Sequence, residues 1–379
     1  MLATTGWTTV HHPDRGVSAR AVALAAWAGA RVGSLPVPPA DAPVRTVARF
    51  FAGLDAVQRD RLAAGYPLVV GNLDGVPAPV RYRANKIALA EAREVERTRA
   101  GDVRLTPADR DEAGRRVHRF GSLMQDGRQI LAFDPTGGGR AAEVFGDLDR
   151  ARRISVVVPG VDTHLLTFER TARRWTAPVG MAQSLYAAQR AEAPDLPSAV
   201  VAWADYTAPA GMGVDAATGK LAVDGAVRLA AFTAALPSDA TTALFCHSYG
   251  SVVCGVAAAR LPDRVTDIVA AGSPGMRAGN VAELESTARI WAMRDPGDWI
   301  ADVPHLEVGG LGHGADPMSE EFGARRLSAA GAKSHTGYFE PGTGAVDNLA
   351  KIGTGSYGSV ACLPEDDSCR RGFSGTERD

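Results

Sequence analysis

The sequence predicts an α/β fold, a mostly parallel central sheet with helices on both faces, preceded by a helical N-terminal extension. Three observations predict it. Short apolar runs of strand length recur at Ile154 to Val158, Ala199 to Ala204, Ala243 to Cys246, Val265 to Ala270 and Arg289 to Met293. Helix-compatible stretches such as Val179 to Ala191 and Asp224 to Leu236 lie between several of them, the alternation of a parallel sheet. The chain before Arg128 has helical spacing instead.

Taken in order, a Pro-rich link at Pro36 to Pro43 leads into helical spacing at Val47 to Leu54 and Ala56 to Ala64, broken at Gly65-Tyr66-Pro67. Val69 to Pro77 reads as a turn-rich connection. Two polar helices follow, Val80 to Arg99 and Pro107 to Met124, the second with Thr106 as N-cap and Pro107 in the first helical position. At Arg128 the period changes, and Gln129 to Phe133 and Ala141 to Phe145 read as a hairpin joined by DPTGGGR. We therefore divide the chain into a helical extension (1–125) with a lid or cover as its expected role, a catalytic domain (126–355) and an acidic tail (356–379).

The stretch that carries chemistry is TTALFCHSYGSVVCGVAAARL, residues 241–261. It reads as strand, sharp turn and helix with Ser248 at the apex, the arrangement that lifts a nucleophilic hydroxyl clear of a sheet. Positions two before and two after such a serine must be small. Gly250 fills one; Cys246 fills the other, where the usual pattern has glycine.

Partners lie downstream. The run TARIWAM, residues 287–293, leads into Arg294-Asp295-Pro296-Gly297-Asp298-Trp299-Ile300, two carboxylates just past a strand end. Ser334-His335-Thr336-Gly337-Tyr338-Phe339 sets a histidine in a polar loop. The order Ser248, Asp298, His335 is that of α/β-hydrolases, with Asp295 as the alternative acid. A serine hydroxyl needs a base during attack, imidazole titrates near the working pH, and a carboxylate fixes its tautomer. Of the other histidines, His313 in GGLGHGADP is the second candidate base, His247 and His305 have weaker claims, and His11, His12 and His118 read as solvated. Pro159-Gly160-Val161-Asp162-Thr163-His164 follows a strand where an oxyanion loop belongs, so the expected N–H donors are Tyr249 with Val161 or Asp162.

Lys+Arg of 41 against Asp+Glu of 43 are interspersed, which argues against nucleic acid as a general partner. No zinc-like Cys/His spacing, G-x-G-x-x-G after a strand or Walker A lysine appears, so no metal or cofactor is expected. Cys246 and Cys254 read as small buried thiols, whereas Cys362 and Cys369 are a disulfide candidate in an exported protein. The apolar run Ala21 to Ala30 is too short to span a bilayer. With Arg15 and Arg20 before it and Ala40-Asp41-Ala42 after it, it has a signal-like layout, countered by Asp14 and Arg31. A cytoplasmic protein is expected, with secretion as the alternative; the oligomeric state is not legible.

The stretches VVGNLDGVPAPVRYRAN (69–85), ILAFDPTGGGRAAEVFGDLDRA (130–151), VVVPGVDTHLLTF (156–168), HSYGS (247–251), GSPGM (272–276), GDWI (297–300) and SHTGYF (334–339) resemble, as a set, the actinobacterial α/β-hydrolase family long catalogued as domain of unknown function 1023. The resemblance implies an α/β-hydrolase fold with a helical N-terminal extension and Ser248, Asp298 and His335 as triad. It implies no substrate. The expected function is a serine hydrolase acting through an acyl-enzyme on a carboxylic ester, with a small-molecule acyl substrate. Thioesterase, amidase or acyltransferase use of the same triad is the near alternative, and a non-catalytic binding module the distant one.

Overall fold

The computed structural model describes residues 19–364 and 366–373. Its first layer is helical: α1 (Ala19–Ala28), a two-residue hairpin β1 (Arg31–Val32) and β2 (Leu35–Pro36), then α2 (Val44–Ala52), α3 (Ala56–Gly65), α4 (Pro67–Val70), α5 (Ala78–Ala100) and α6 (Pro107–Leu123). The sheet begins with β3 (Gln129–Asp134), β4 (Arg140–Gly146) and β5 (Arg153–Val158), then α7 (Pro178–Glu192) and β6 (Ser198–Ala204). After these come α8 (Val214–Ala217), α9 (Lys220–Ala235), β7 (Thr241–His247), α10 (Tyr249–Ala257), β8 (Val265–Ala271) and β9 (Arg289–Met293). The chain continues through a small hairpin, β10 (Glu307–Val308) and β11 (Leu311–Gly312), to β12 (Arg325–Leu327) and α11 (Gly344–Thr354).

Eight strands form one sheet in the order β12-β9-β8-β7-β5-β6-β4-β3. The pairs from β12 to β6 are parallel, and β6–β4 and β4–β3 are antiparallel. The central strands read as unbroken apolar runs because both faces are covered. On β7, Leu244 and Cys246 join α9 and α10 residues such as Leu229 and Val252, while Ala243 and Phe245 face Leu185 of α7 and Leu349 of α11.

The helical layer has its own core, with Trp27, Val47, Phe51, Leu62 and Val80 buried together. The signal-like segment is thus partly built into this core: the indole of Trp27 donates to the Pro38 carbonyl at 2.8 Å. Arg15 and Asp14 of that reading lie outside the described residues. The layer closes the open edge of β3. Asn72 exchanges two hydrogen bonds with Phe133, accepting from its N–H at 2.9 Å and donating to its carbonyl at 2.7 Å. Arg81 donates to the Leu131 carbonyl and Asn85 to the Ile130 carbonyl. Side chains thereby occupy groups that an exposed edge would offer to another chain. The connection read as turn-rich at Val69 to Pro77 begins inside a short helix, α4, because Pro67 sits in a first helical turn whose missing N–H costs nothing.

Beyond Ser356 the described residues pack on the sheet rather than trailing away. Phe373 stacks on Tyr357 at 4.7 Å between ring centroids and on Trp291 at 6.1 Å. Cys362 pairs with Cys369. Among the described residues no helix is long and apolar enough to cross a membrane.

Candidate active site

In a parallel sheet the strand carboxyl ends meet at one rim, and the crevice lies where the strand order reverses. Here β5 has β6 on one side and β7 on the other, and Ser248 follows β7 directly. Ser248 has φ 54° and ψ −129°, a left-handed conformation held by its surroundings. Its N–H donates to the Ala271 carbonyl at 3.0 Å, and its own carbonyl accepts from Ser251 N–H and Oγ at 2.9 and 2.6 Å. The turn tolerates no bulk. A Cβ on Gly250 would stand 2.2 Å from the Val158 carbonyl oxygen, and one on Gly160 would stand 2.7 Å from Ser248 Cβ.

Cys246, two residues before the serine, is not a free thiol. It is bonded to Cys254, as the two Cα atoms lie 6.5 Å apart where β7 and α10 run back to back. The reading of both as simple buried thiols is therefore corrected: strand and helix of the turn are covalently joined around the serine. Among the described residues no free cysteine remains.

His335 reaches the site from the loop before α11. Its Nε2 lies 2.8 Å from Ser248 Oγ, and its Nδ1 lies 2.9 and 3.1 Å from Asp298 Oδ1 and Oδ2. In the neutral tautomer this geometry selects, Nδ1–H donates to the carboxylate and Nε2 accepts from the serine hydroxyl. Asp298 caps a short 3₁₀ helix and accepts from Ile300 N–H at 3.0 Å. Tyr338 OH donates to its Oδ2 at 2.5 Å. Burial alone would push the Asp298 carboxyl up, but the bonds from His335, Tyr338 and Ile300 outweigh it and hold the group below the usual carboxylate range.

Asp295 meets the histidine loop rather than its ring, accepting from Ser334 N–H at 3.0 Å. Of the two acids, Asp298 is the one on the imidazole. His247 braces the same loop from below: its Nε2–H donates to the His335 carbonyl at 2.6 Å. Burial, then the neighbouring His335 ring, lowers the His247 pKa to about 4, so it is neutral at ordinary pH. The hydrogen bond of Tyr338 to the acid is a role the sequence reading did not assign; a tyrosine three residues after the histidine was the available signal.

His313 does not reach the serine. Its Nε2–H donates to the Ala216 carbonyl at 2.7 Å. His164 is half-buried, its Nδ1 accepting from Leu166 N–H, and burial lowers its pKa. In the 159–164 loop, Asp162 sits at φ 57° and its N–H is already donated to the Pro209 carbonyl at 2.8 Å. That commitment removes Asp162 from the donor candidates and leaves Val161 beside Tyr249.

A chamber of about 490 Å³ opens beside Ser248, with Val161, Tyr249 and Ile300 in its wall and the β10–β11 hairpin at its mouth. Two further clefts, about 260 Å³ beside Tyr82 and Lys86 and about 500 Å³ beside Arg170 and Arg173, are lined by none of Ser248, Asp298 and His335. Among the described residues, none of the helical layer lines the chamber wall. Among the described residues no group of three or more His, Cys, Asp and Glu side chains is placed to hold a metal ion.

Among curated proteins, the chain is 27% identical over 386 residues to the uncharacterized proteins Rv2079 and MT2140 of two Mycobacterium tuberculosis strains. The alignment covers 86% of this chain and 58% of theirs, so the chain spans little more than half the length of these relatives. Among solved structures, a dienelactone hydrolase from Anabaena variabilis superposes with a TM-score of 0.36 at 16% identity, covering 62% of this chain and 99% of that one. A 2,6-dihydroxy-pseudo-oxynicotine hydrolase gives 0.35 at 10% identity, covering 88% and 96%. Residues 134–308, from the end of β3 to the end of β10, match the family model described as alpha/beta hydrolase. With that match on a mostly parallel eight-stranded sheet, the chain has the α/β-hydrolase fold.

Proposed function

We propose that the protein is a serine hydrolase that cleaves a carboxylic ester through an acyl-enzyme. The observation that carries this reading is the single line of contacts from Asp298 through both nitrogens of His335 to Ser248 Oγ. Ser248 Oγ attacks the ester carbonyl carbon while His335 Nε2 takes the hydroxyl proton, and Asp298 stabilises the imidazolium. The carbonyl oxygen, now negative, accepts from the N–H groups of Tyr249 and Val161; a donor of this kind lowers the barrier by about 3 kcal/mol. As the C–O bond breaks, His335 returns the proton to the departing alkoxide. Water, deprotonated by the same nitrogen, then releases the acid and restores Ser248.

The Cys246–Cys254 and Cys362–Cys369 bonds favour an oxidising compartment over the cytoplasmic expectation, because such bonds are rare in reduced compartments. The function is tested by labelling with a fluorophosphonate and mapping the site by mass spectrometry. Label on Ser248 that vanishes in Ser248→Ala and falls at least a hundredfold in rate in His335→Ala is expected. A folded wild type that takes no label sinks the reading.

A further inference from the structure

The chamber beside Ser248 has a chemistry of its own. Its volume of about 490 Å³ falls within the ~300–1,000 Å³ of small-molecule sites. Ala216, Ile300, Val303, Leu306, Val308 and Leu311 line it, and among the described residues no Lys, Arg, Asp or Glu does. Two polar side chains of the wall are turned to the protein. The His313 ring donates through Nε2 to the Ala216 carbonyl, its buried Nδ1 having no hydrogen-bond partner among the described residues, and the Tyr249 hydroxyl donates to the Thr218 carbonyl at 2.8 Å while accepting from Ala222 N–H. At the mouth, Leu306, Val308 and Leu311 are 52%, 69% and 54% exposed, an apolar rim left in water. Clustered exposed side chains of this kind mark a binding surface rather than ordinary scatter.

The geometry points to a straight apolar acyl chain as the occupant, and so to medium-chain fatty acyl esters as the substrate class; this rests on the serine-hydrolase reading above. Orientation decides between the two halves of an ester. The leaving alkoxide must face His335 Nε2 to receive its proton, and His335 is not in the chamber wall. Val161 and Tyr249, the two donors proposed for the carbonyl oxygen, are in that wall. With the oxygen between them and the alkoxide toward His335, the remaining substituent on the carbonyl carbon, the acyl chain, enters the chamber.

Volume sets the length. At ~30 Å³ for a group the size of a water or a methylene, the space is on the order of sixteen such groups. Because its rim is exposed, part of that space is shared with solvent, and a chain of roughly eight to twelve carbons fits. A charged acyl group does not, since the wall offers it no partner of opposite charge.

The test measures kcat/KM for p-nitrophenyl butyrate, octanoate and decanoate, kept below their aggregation concentrations, on the full chain. Each buried methylene contributes about threefold to fourfold, so with all its extra methylenes buried decanoate is expected to exceed butyrate on the order of a thousandfold. Leu306→Asp and Leu311→Asp, both at exposed positions where folding tolerates a carboxylate, are expected to cut the decanoate-to-butyrate ratio at least tenfold. Labelling of Ser248 by a short-alkyl fluorophosphonate is read in parallel. A ratio near one with Ser248 labelled overturns the acyl-chain assignment and leaves the serine hydrolase standing. A wild-type preference for decanoate that both variants retain also overturns it, because the chain then lies elsewhere. No label on folded wild type overturns both.

Discussion

Replacing Tyr338 by Phe removes one oxygen atom from a buried side chain and leaves its ring in place. That oxygen donates to Asp298 Oδ2 at 2.5 Å and accepts from Asp295 N–H at 3.2 Å. It is one of three donors on the carboxylate, with His335 and Ile300 the others. A hydrogen bond to an ionised group contributes about 1.5–3 kcal/mol, but only the part that holds Asp298 in register with the imidazole reaches the chemical step. We expect about 1.4 kcal/mol of that to appear in the barrier, a tenfold fall. Since Tyr338 touches no substrate in the proposed mechanism, the loss should fall on kcat with KM unchanged. Stability should change with a definite sign. Asp298 is held below its ordinary value, so its contribution is present above the unfolded pKa of 3.8 and is lost as pH falls through the folded one. With a donor gone, that contribution shrinks, and the melting temperature near neutral pH drops by a few degrees. The assay is steady-state hydrolysis of an activated ester, with thermal melts at pH 7 and pH 3.5. A variant with wild-type kcat, or with its whole loss in KM, refutes the assignment of Tyr338 as a positioning residue.

Two further perturbations follow from the same site. His247 is buried with its pKa lowered from 6.5 to about 4, so the unfolded chain binds its proton first as pH falls. Its contribution is complete above pH 6.5 and about 3 kcal/mol is lost by pH 4. His247→Gln, which keeps a donor for the His335 carbonyl, should show a shallower fall in denaturant stability across that window, and an unchanged slope counts against the neutral buried imidazole. The Cys246–Cys254 bond closes a short loop around the nucleophile, for which chain entropy gives about 2.5 kcal/mol. The Cys246→Ala/Cys254→Ala double variant should lose stability on that scale in urea, and thiol titration of unfolded, unreduced wild type should find no free thiol.

How much of this was legible follows from what each feature needs. The strands β5 to β9 stand out because a strand covered on both faces is apolar along its length; Ser248 and Asp298 stand out because each follows such a run, and His335 because it stands after them in a polar loop beside aromatics. Their convergence, at 2.8 and 2.9 Å, is where order along the chain met geometry. β12 was not legible: three residues with two arginines carry no period. The Cys246–Cys254 bond was missed because a strand and the helix after it face each other only once the turn at Ser248 has reversed the chain. Asp162 was retained as a donor because nothing local reveals that the Pro209 carbonyl, forty-seven residues on, accepts its N–H. The 69–85 stretch was recognised by resemblance, yet its work became visible only when Asn72, Arg81 and Asn85 were found on the edge of β3.

The β10–β11 hairpin occupies the connection between β9 and β12, downstream of Asp298 on the same connection, while Ser248 and His335 sit on other segments of the chain. It pairs only with itself in its two-stranded sheet, apart from one isolated bridge between Leu311 and Thr218. Its apolar side chains stand largely in solvent, where replacement costs little core packing. On the proposed function, selection can therefore retune what enters the chamber, one side chain at a time, while Ser248, Asp298 and His335 stay fixed. Two related chains that share those three residues can then differ in diet through a short stretch of loop.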